Sequence, residues 1–420
     1  MIAGLTLIPA DEARRILFET PAVGTERVKL RDAGGRVLAS ALLAPEDLPV
    51  ARRAVMDGYA VRAADVRDAS DLSSVTLALA GTVPMGDVFR GAVASGEAVA
   101  ISTGGYVPEG ADAVVMVEHT SSTAESEGRG RSVEVSRAVA AGANVIQAGE
   151  DLAAGDAVLA AGRRLRPQDL AALATFGVAE VNVYRRPRVA VLSTGNELCE
   201  PSQTPRPGQV RDANQYVLAA QVEAAGCVAT TNGIVPDDER ALREAVARAL
   251  AEHDAVILSG GSSVGTKDVA AASMLGLPAP GVLFHGIDIR PGKPTLFARA
   301  GQKPVVGMPG FPTSSLIVFD AFIGPMLWRL GGEVGRETWA SRRRARLAKA
   351  QPSVLGREDY VRVRLVERAH PSDDPPEIWA EPLAGGSAAI SNVVFADGLV
   401  RIDASRIGLA AGDAVDVLLY

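Results

Sequence analysis

The hydrophobic pattern changes character twice along this chain. From about Val28 to Val183, short β-like runs alternate with Gly/Pro turns, among them Val75–Ala80, Ala98–Ile101, Ala113–Val117 and Ser132–Val135, a rhythm that predicts mostly β structure. Near Arg188 the pattern becomes RVAVL, a continuous apolar run of the kind buried on both faces of a parallel sheet. Asp212 then offers an N-cap with Gln215 three residues on, before a helical stretch from Asn214 to Ala225 closed by Gly226. A strand over Val228–Val235, a helix over Glu239–Glu252 and a strand over Ala255–Leu258 follow, then a strand over Pro304–Met308 and a helix over Ser314–Leu330. This alternation predicts a parallel, helix-covered sheet. After about residue 340 the strand-like alternation returns in Tyr360–Val366, Glu377–Glu381, Gly398–Ile402 and Ala414–Leu419, which reads as a separate small β domain. Two polar breaks, Thr120–Arg131 and Pro371–Pro376, read as exposed loops. Asp11 and Glu12 start a helix predicted to run from Glu12 to Glu19.

Composition narrows the function classes. The length of 420 residues corresponds to about three domains of ordinary size. Hydrophobic residues make up 47% and aromatics 4%, so the cores must be built from small aliphatics. A net charge of −7 argues against a general nucleic-acid binder. The N-terminus has no basic leader, and no run approaches the ~18 apolar residues of a membrane span. Cys199 and Cys227 are the only cysteines, and His119, His253, His285 and His370 are scattered. A disulfide scaffold or a thiol/imidazole metal site is therefore not expected, and the composition fits a reducing, cytoplasmic compartment.

Three predicted strands end in turns suited to anions. Leu192 runs into Ser193-Thr194-Gly195-Asn196-Glu197. Leu258 runs into Ser259-Gly260-Gly261-Ser262-Ser263-Val264-Gly265. Met308 runs into Pro309-Gly310-Phe311-Pro312. Ligands of open parallel sheets bind beyond the carboxyl ends of the strands, where converging backbone N–H groups and hydroxyls favour negative charge. The pattern points to a phosphate-bearing ligand. Only five lysines occur among 43 basic residues, and Lys293 stands in Arg290-Pro291-Gly292-Lys293-Pro294, where prolines on both sides restrict the backbone. Carboxylates recur at the same edge: Glu197, Asp212, Asp237, Asp238 and Asp268. Helix capping alone would account for Asp212, Asp237 and Asp238, whereas Glu197 and Asp268 read as metal or substrate ligands, a donor type suited to Mg²⁺ beside phosphates. Upstream, Met56-Asp57-Gly58-Tyr59-Ala60 and Thr103-Gly104-Gly105-Tyr106 are compact turns. No Ser-His-Asp or Cys-His arrangement can be assigned, so the chemistry reads as electrophilic, with cations neutralising an oxyanion.

The motifs MDGYAV (Met56–Val61), TGG-VPEGADAVV (Thr103–Val115), GED (Gly149–Asp151), STGNEL (Ser193–Leu198), SGGSSVG–KD (Ser259–Asp268), RPGKP (Arg290–Pro294) and MPG-PTS (Met308–Ser314) resemble, in order and over nearly the whole chain, the MoeA molybdopterin molybdenumtransferases and the related E domain of gephyrin. The resemblance implies a multidomain α/β and β protein. A MogA-like molybdopterin-binding α/β domain would span 180–335, with residues 1–27 packed on it. A discontinuous small β domain would join 28–48 to 145–179, with a mixed domain, 49–144, inserted into it. A C-terminal β-barrel-like domain would span 336–420. It further implies a homodimer and Mg²⁺-dependent insertion of molybdate into adenylylated molybdopterin with release of AMP, served by a MogA-type adenylyltransferase partner. Asp57 and Thr103 match family positions facing the partner's cleft. Glu197, Asp237 and Asp268 match acidic residues serving Mg²⁺ and the pterin phosphates. Arg290, Lys293, Arg362 and Ser387 match a molybdate-binding cluster, and Ser259, Gly260, Gly261, Ser263, Gly265, Pro309 and Gly310 would cradle the pterin substrate. The chain departs from the family's common pattern before MDGYA, at Arg290 and His285 in place of lysines, and at Phe311 in place of an asparagine. A tungstate-preferring insertase, a pyrophosphate hydrolase and a scaffold are the alternative readings.

Overall fold

The computed structural model describes residues 6–123, 131–260, 269–368, 376–386 and 388–420. The chain forms two compact units, one of residues 1–40, 161–170 and 179–420, the other of residues 41–160 and 171–178.

In the first unit, the RVAVL run becomes β1 (Arg188–Thr194), followed by α1 (Asn214–Ala224), β2 (Val228–Val235), α2 (Glu239–Glu252), β3 (Ala255–Ser259), α3 (Val269–Met274), β4 (Pro280–His285), β5 (Leu296–Ala300), β6 (Lys303–Met308) and α4 (Pro312–Val318). The strand order is β2-β1-β3-β6-β5-β4. The first four strands pair in parallel, and β4 and β5 add an antiparallel edge. Burial explains why β1 and β3 are apolar throughout. Val189, Val191 and Ile257 pack with Leu218 and Val222 on one face of the sheet. Ala190, Leu192, Val256 and Leu258 pack with Leu242, Val246 and Met274 on the other. Each fully buried valine or leucine contributes about 1.5–3 kcal/mol, so neither face can turn polar. Helix α2 buries Leu242, Ala245, Val246 and Ala249, and Asp238 caps it by accepting from the Ala241 amide at 2.8 Å.

The C-terminal strands β7 (Arg342–Leu347), β8 (Glu358–Arg368), β9 (Glu377–Pro382), β10 (Gly398–Ile402) and β11 (Ala414–Leu419) pair in the order β8-β9-β7-β11-β10, and β10 returns to β8. The result is a closed five-stranded barrel filled by Ala345, Leu347, Val363, Ala380, Val400, Ile402, Val415 and Val417. The two-residue strand Ile289–Arg290 pairs in parallel with Glu358–Asp359, which hydrogen-bonds the start of the RPGKP turn to the first residues of β8. The N-terminal helix, observed at Ala10–Phe18, buries Ala10, Ala13 and Leu17. Its Arg14 donates to both Glu358 carboxylate oxygens at 3.0 and 2.6 Å and to the Tyr360 hydroxyl at 3.0 Å.

The second unit is built on a six-stranded sheet in the order Ala113–Met116, Gly58–Val61, Glu97–Ile101, Val75–Thr82, Ser132–Val135 and Thr120–Thr123. Separate apolar clusters cover its two faces. Thr120–Thr123 corrects the expected loop. Although polar, this Ser/Thr segment pairs in register with Ser132–Val135 at the sheet edge, where β-branched threonine is at home and one face meets water. The remainder of that expected loop, residues 124–130, and most of the Pro371–Pro376 break lie outside the described residues. Gly58 has a steric reason: a Cβ there would lie 1.9 Å from the Val115 carbonyl oxygen of the neighbouring strand. Gly58→Ala is therefore expected to force two paired strands apart and to cost about 2–3 kcal/mol, the upper part of the overpacking range. Equilibrium urea unfolding of this unit's signal measures it, and a change below about 0.5 kcal/mol would show that the strands give way freely.

A candidate active-site cleft in the first unit

The carboxyl ends of β1, β3 and β6 open into a cleft of about 1230 Å³. Thr194, Glu197, Ser259, Gly260, Pro309 and Gly310 line it from the sheet, Asp212 and Asn214 from the start of α1, Arg290–Pro294 from the intervening turn, and Arg357, Asp359, Arg362 and Gly385 from the barrel. The barrel contributes because β8 is hydrogen-bonded to the strand that leads into RPGKP.

On the sheet side, one asparagine ties the turns together. Asn214 Nδ2 donates to Ser259 Oγ at 2.7 Å and to the Gly310 carbonyl at 2.9 Å. Gly260 has φ +93°, and a Cβ on it would lie 2.2 Å from the Thr194 carbonyl oxygen, so the turn after β3 can only be glycine where it crosses the end of β1. Gly310 differs, for a Cβ there would meet nothing within 4 Å among the described residues. No described residue demands glycine at 310, and the open space beside its backbone is what a close-approaching ligand requires. Glu197 is exposed on the cleft wall, and its carboxylate has no hydrogen-bond or ion-pair partner among the described residues. Asp237 is used otherwise. Its carboxylate accepts from Thr194 Oγ1 at 2.9 Å and from the Asn196 amide at 3.3 Å. It thus braces the loop that carries Glu197 and does not cap α2. Asp212 accepts from the Gln215 amide at 3.2 Å, but it stands one residue before the N-cap position, which Ala213 holds.

The cleft also carries cations. Lys293 is exposed and has no ion-pair partner among the described residues. Its turn is held from beneath: Gly292 has φ +111°, and a Cβ there would lie 2.3 Å from Val318 Cγ2, while Thr295 Oγ1 donates to the Gly292 carbonyl at 2.7 Å. Arg290 approaches Asp359 at 3.8 Å, and Arg357 grips the same carboxylate at 2.6 and 2.9 Å. Arg362 donates Nη2 to the Gly385 carbonyl at 3.3 Å, and its Nε and Nη1 are buried without a hydrogen-bond partner among the described residues. Burial pulls this guanidinium below its usual pKa. A desolvated cation with spare donors is complementary to a small oxyanion.

Arg357, Asp359 and Asn214 were not among the candidates drawn from sequence. Arg357, just before β8, and Asp359, within it, stand two residues apart, and that spacing was the available signal. Asp57 and Thr103 belong to the second unit, where they meet each other: Thr103 donates its amide at 2.6 Å and its hydroxyl at 2.9 Å to Asp57 Oδ1. These two bonds hold the Asp57 carboxyl below the ordinary range. Gly261, Ser263, Gly265, Asp268 and Ser387 lie outside the described residues. Among the described residues, no group of three or more His, Cys, Asp or Glu is disposed to hold a metal, and no helix is long and apolar enough to cross a membrane.

Comparison with known proteins places this architecture. The families described as "MoeA N-terminal region (domain I and II)", "Probable molybdopterin binding domain" and "MoeA C-terminal region (domain IV)" match residues 8–177, 190–329 and 344–420. The molybdopterin molybdenumtransferase 2 of Mycobacterium tuberculosis is 33% identical, over 93% of this chain and 94% of its own. The chain belongs to the MoeA family. The molybdopterin molybdenumtransferase of Haemophilus influenzae, another MoeA relative, is 35% identical over 78% of each chain. A solved molybdopterin biosynthesis MoeA protein from Pyrococcus horikoshii OT3 aligns with a TM-score of 0.80 at 32% identity, over 99% of this chain and all of that one. Within this MoeA-family fold, the "Probable molybdopterin binding domain" match contains the sheet-side wall of the cleft and the RPGKP turn, and the C-terminal match contains the barrel wall.

Proposed function

We propose that this chain is a molybdopterin molybdenumtransferase of molybdenum-cofactor biosynthesis, acting in the cytoplasm on adenylylated molybdopterin and molybdate and releasing AMP. One observation carries the reading: a carboxylate, Glu197, and an ammonium, Lys293, neither with an ion-pair partner among the described residues, line the same cleft. Phosphate oxygens of the pterin substrate would lie over the Ser259-Gly260 and Pro309-Gly310 turns, where Gly310 leaves its backbone open. Arg290, Lys293 and Arg362 would hold the molybdate dianion, as multiple cationic donors around a tetrahedral oxyanion do. Ser387 completes that cluster in this reading.

Magnesium needs only one or two protein carboxylates when substrate phosphates complete its shell, and Glu197 offers one on this wall. Asp268 is the second candidate ligand, while Asp237 orients the Glu197 loop through Thr194 and Asn196. When bound, the ion would neutralise phosphate charge at the anhydride that is cleaved. The chain's own groups do the rest: Lys293 and Arg362 orient the oxyanion, and Asn214 fixes the two turns under the phosphates. In the same reading the protein is a homodimer, with Asp57 and Thr103 facing the partner's cleft. A MogA-type adenylyltransferase supplies the substrate, and the domain limits are those read from the sequence.

The test is direct. Purified protein given adenylylated molybdopterin should release AMP when magnesium and molybdate are both present, and should lose that release when either is withheld. Equal AMP release without molybdate would overturn insertion in favour of simple hydrolysis.

A further inference from the structure

Most large apolar side chains of the first unit are buried, yet three in the cleft are not. Phe311, Val210 and Val354 line it and are 55%, 55% and 51% exposed. A single exposed apolar residue needs no explanation. Three within one concave site, one of them aromatic, offer a surface that a flat apolar group can cover.

Phe311 is also held in place. Its backbone sits at φ −80°, ψ 129°, its carbonyl accepts from the Ser315 amide at 3.0 Å, and Pro312 follows it. On the other side, the Gly310 carbonyl is fixed by Asn214. The attachment point of the ring is therefore rigid while the ring itself stays open to the cleft. Beside it lies the backbone of Gly310, with no side chain and, among the described residues, no neighbour in the space a Cβ would fill. An aromatic face next to a bare strip of backbone suits a planar nitrogen heterocycle, which can stack on the ring and present its polar edge to peptide groups.

We propose that Phe311 is a stacking platform for a planar nitrogen-heteroaromatic ring of the substrate, with Val210 and Val354 adding apolar surface to the same cleft. The proposal rests on the reading of the substrate as an adenylylated pterin, and it names a residue that grips one of that substrate's two rings. Adenine and pterin share the chemistry that Phe311 recognises.

Isothermal titration of the full chain with AMP, ribose 5-phosphate and pterin, in the absence of molybdate, separates the two rings. Phe311→Ala should weaken binding of AMP or of pterin by about 5- to 150-fold, the range for losing one stacked base, and leave ribose 5-phosphate unchanged. Phe311→Trp should keep wild-type affinity. A loss confined to AMP assigns adenine to Phe311, and a loss confined to pterin assigns the pterin. Wild-type affinity of Phe311→Ala for both rings would overturn the proposal, as would a wild-type chain that binds neither. Circular dichroism checks that both variants are folded. Since these titrations involve no turnover, a chain that stacks a ring but releases no AMP would sink the insertase reading and leave the platform standing.

Discussion

Glu358→Ala is expected to lower the stability of the first unit by about 3–5 kcal/mol, the usual result of stripping one partner from a buried ion pair. The Glu358 side chain is 5% exposed and that of Arg14 is 20% exposed. The carboxylate takes two bonds from Arg14 and one from the Tyr360 hydroxyl at 2.7 Å. Removing it leaves the Arg14 guanidinium largely buried over the Phe322 ring, with Tyr360 and the exposed Asp11 as its remaining hydrogen-bond partners among the described residues. Against the 5–15 kcal/mol that typically holds a domain together, about 4 kcal/mol is a large share. Replacing both partners, as Arg14→Met with Glu358→Leu, should restore much of the loss because no charge is then stranded. Urea unfolding of the two single variants and the double variant decides it. A Glu358→Ala loss below about 1 kcal/mol would mean that the pair behaves like a surface contact.

The same pair carries a pH signature. Burial alone would push the Glu358 carboxyl up, but the Arg14 hydrogen bond and charge, with the Tyr360 hydroxyl, bring it below its ordinary value of 4.5. A depressed folded-state pKa stabilises the fold above the unfolded value, and that contribution is lost as the pH falls through the folded value. Wild type should therefore lose more stability than Glu358→Gln on acidification below about pH 4.5. The consequence reaches the cleft, because Glu358 and Asp359 pair with Ile289 and Arg290.

Lys293→Met should reduce kcat/KM for AMP release by about 10²–10³-fold, the usual cost of deleting a preorganised donor to a developing oxyanion. Lys293 is exposed on the cleft, so its loss leaves the fold intact. Arg290 cannot replace it, since Arg290 faces Asp359, itself held by Arg357. Arg290→Ala should accordingly cost less. Steady-state kinetics with thermal melts separates the chemistry from the stability. An activity drop under about tenfold in Lys293→Met, against the expected range, would move the oxyanion away from this turn.

Much of the fold was legible because burial on two faces leaves no choice of residue. Arg188–Leu192 and Ala255–Leu258 could read only as buried strands, and Glu239–Glu252 places its apolar residues at helical spacing. The antiparallel edge of β4 and β5 was missed because Gly281 and the proline-rich approach to it mask the alternation. Closure of the barrel could not be read from local pattern at all, since β10 returns to β8 only in space. The site shows the same division. Glycine turns and the lone lysine in RPGKP announce themselves in sequence, and Glu197, Lys293, Arg290 and Arg362 do share one cleft. Asp237 read by position as a helix cap, and by resemblance as an acidic residue serving magnesium and the pterin phosphates; it does not cap the helix, and its carboxylate holds the Glu197 loop through Thr194, 43 residues away. Arg357 showed in sequence only as its spacing from Asp359, because its importance depends on the parallel pairing of Asp359 with Arg290, a segment distant in the sequence. Phe311 stood out in sequence only as a lost amide. Its exposed ring in the cleft is a property of the folded chain.

Two opposite charges, Glu197 and Lys293, line one cleft, and AMP release titrated separately with each ion tests their proposed division of labour most directly. Glu197→Gln should raise the magnesium concentration needed for half-maximal release and leave the molybdate requirement near wild type, while Lys293→Met should do the reverse. If either substitution leaves its own ion's half-saturation unchanged, that residue does not serve that ion and the proposed division of the cleft is wrong.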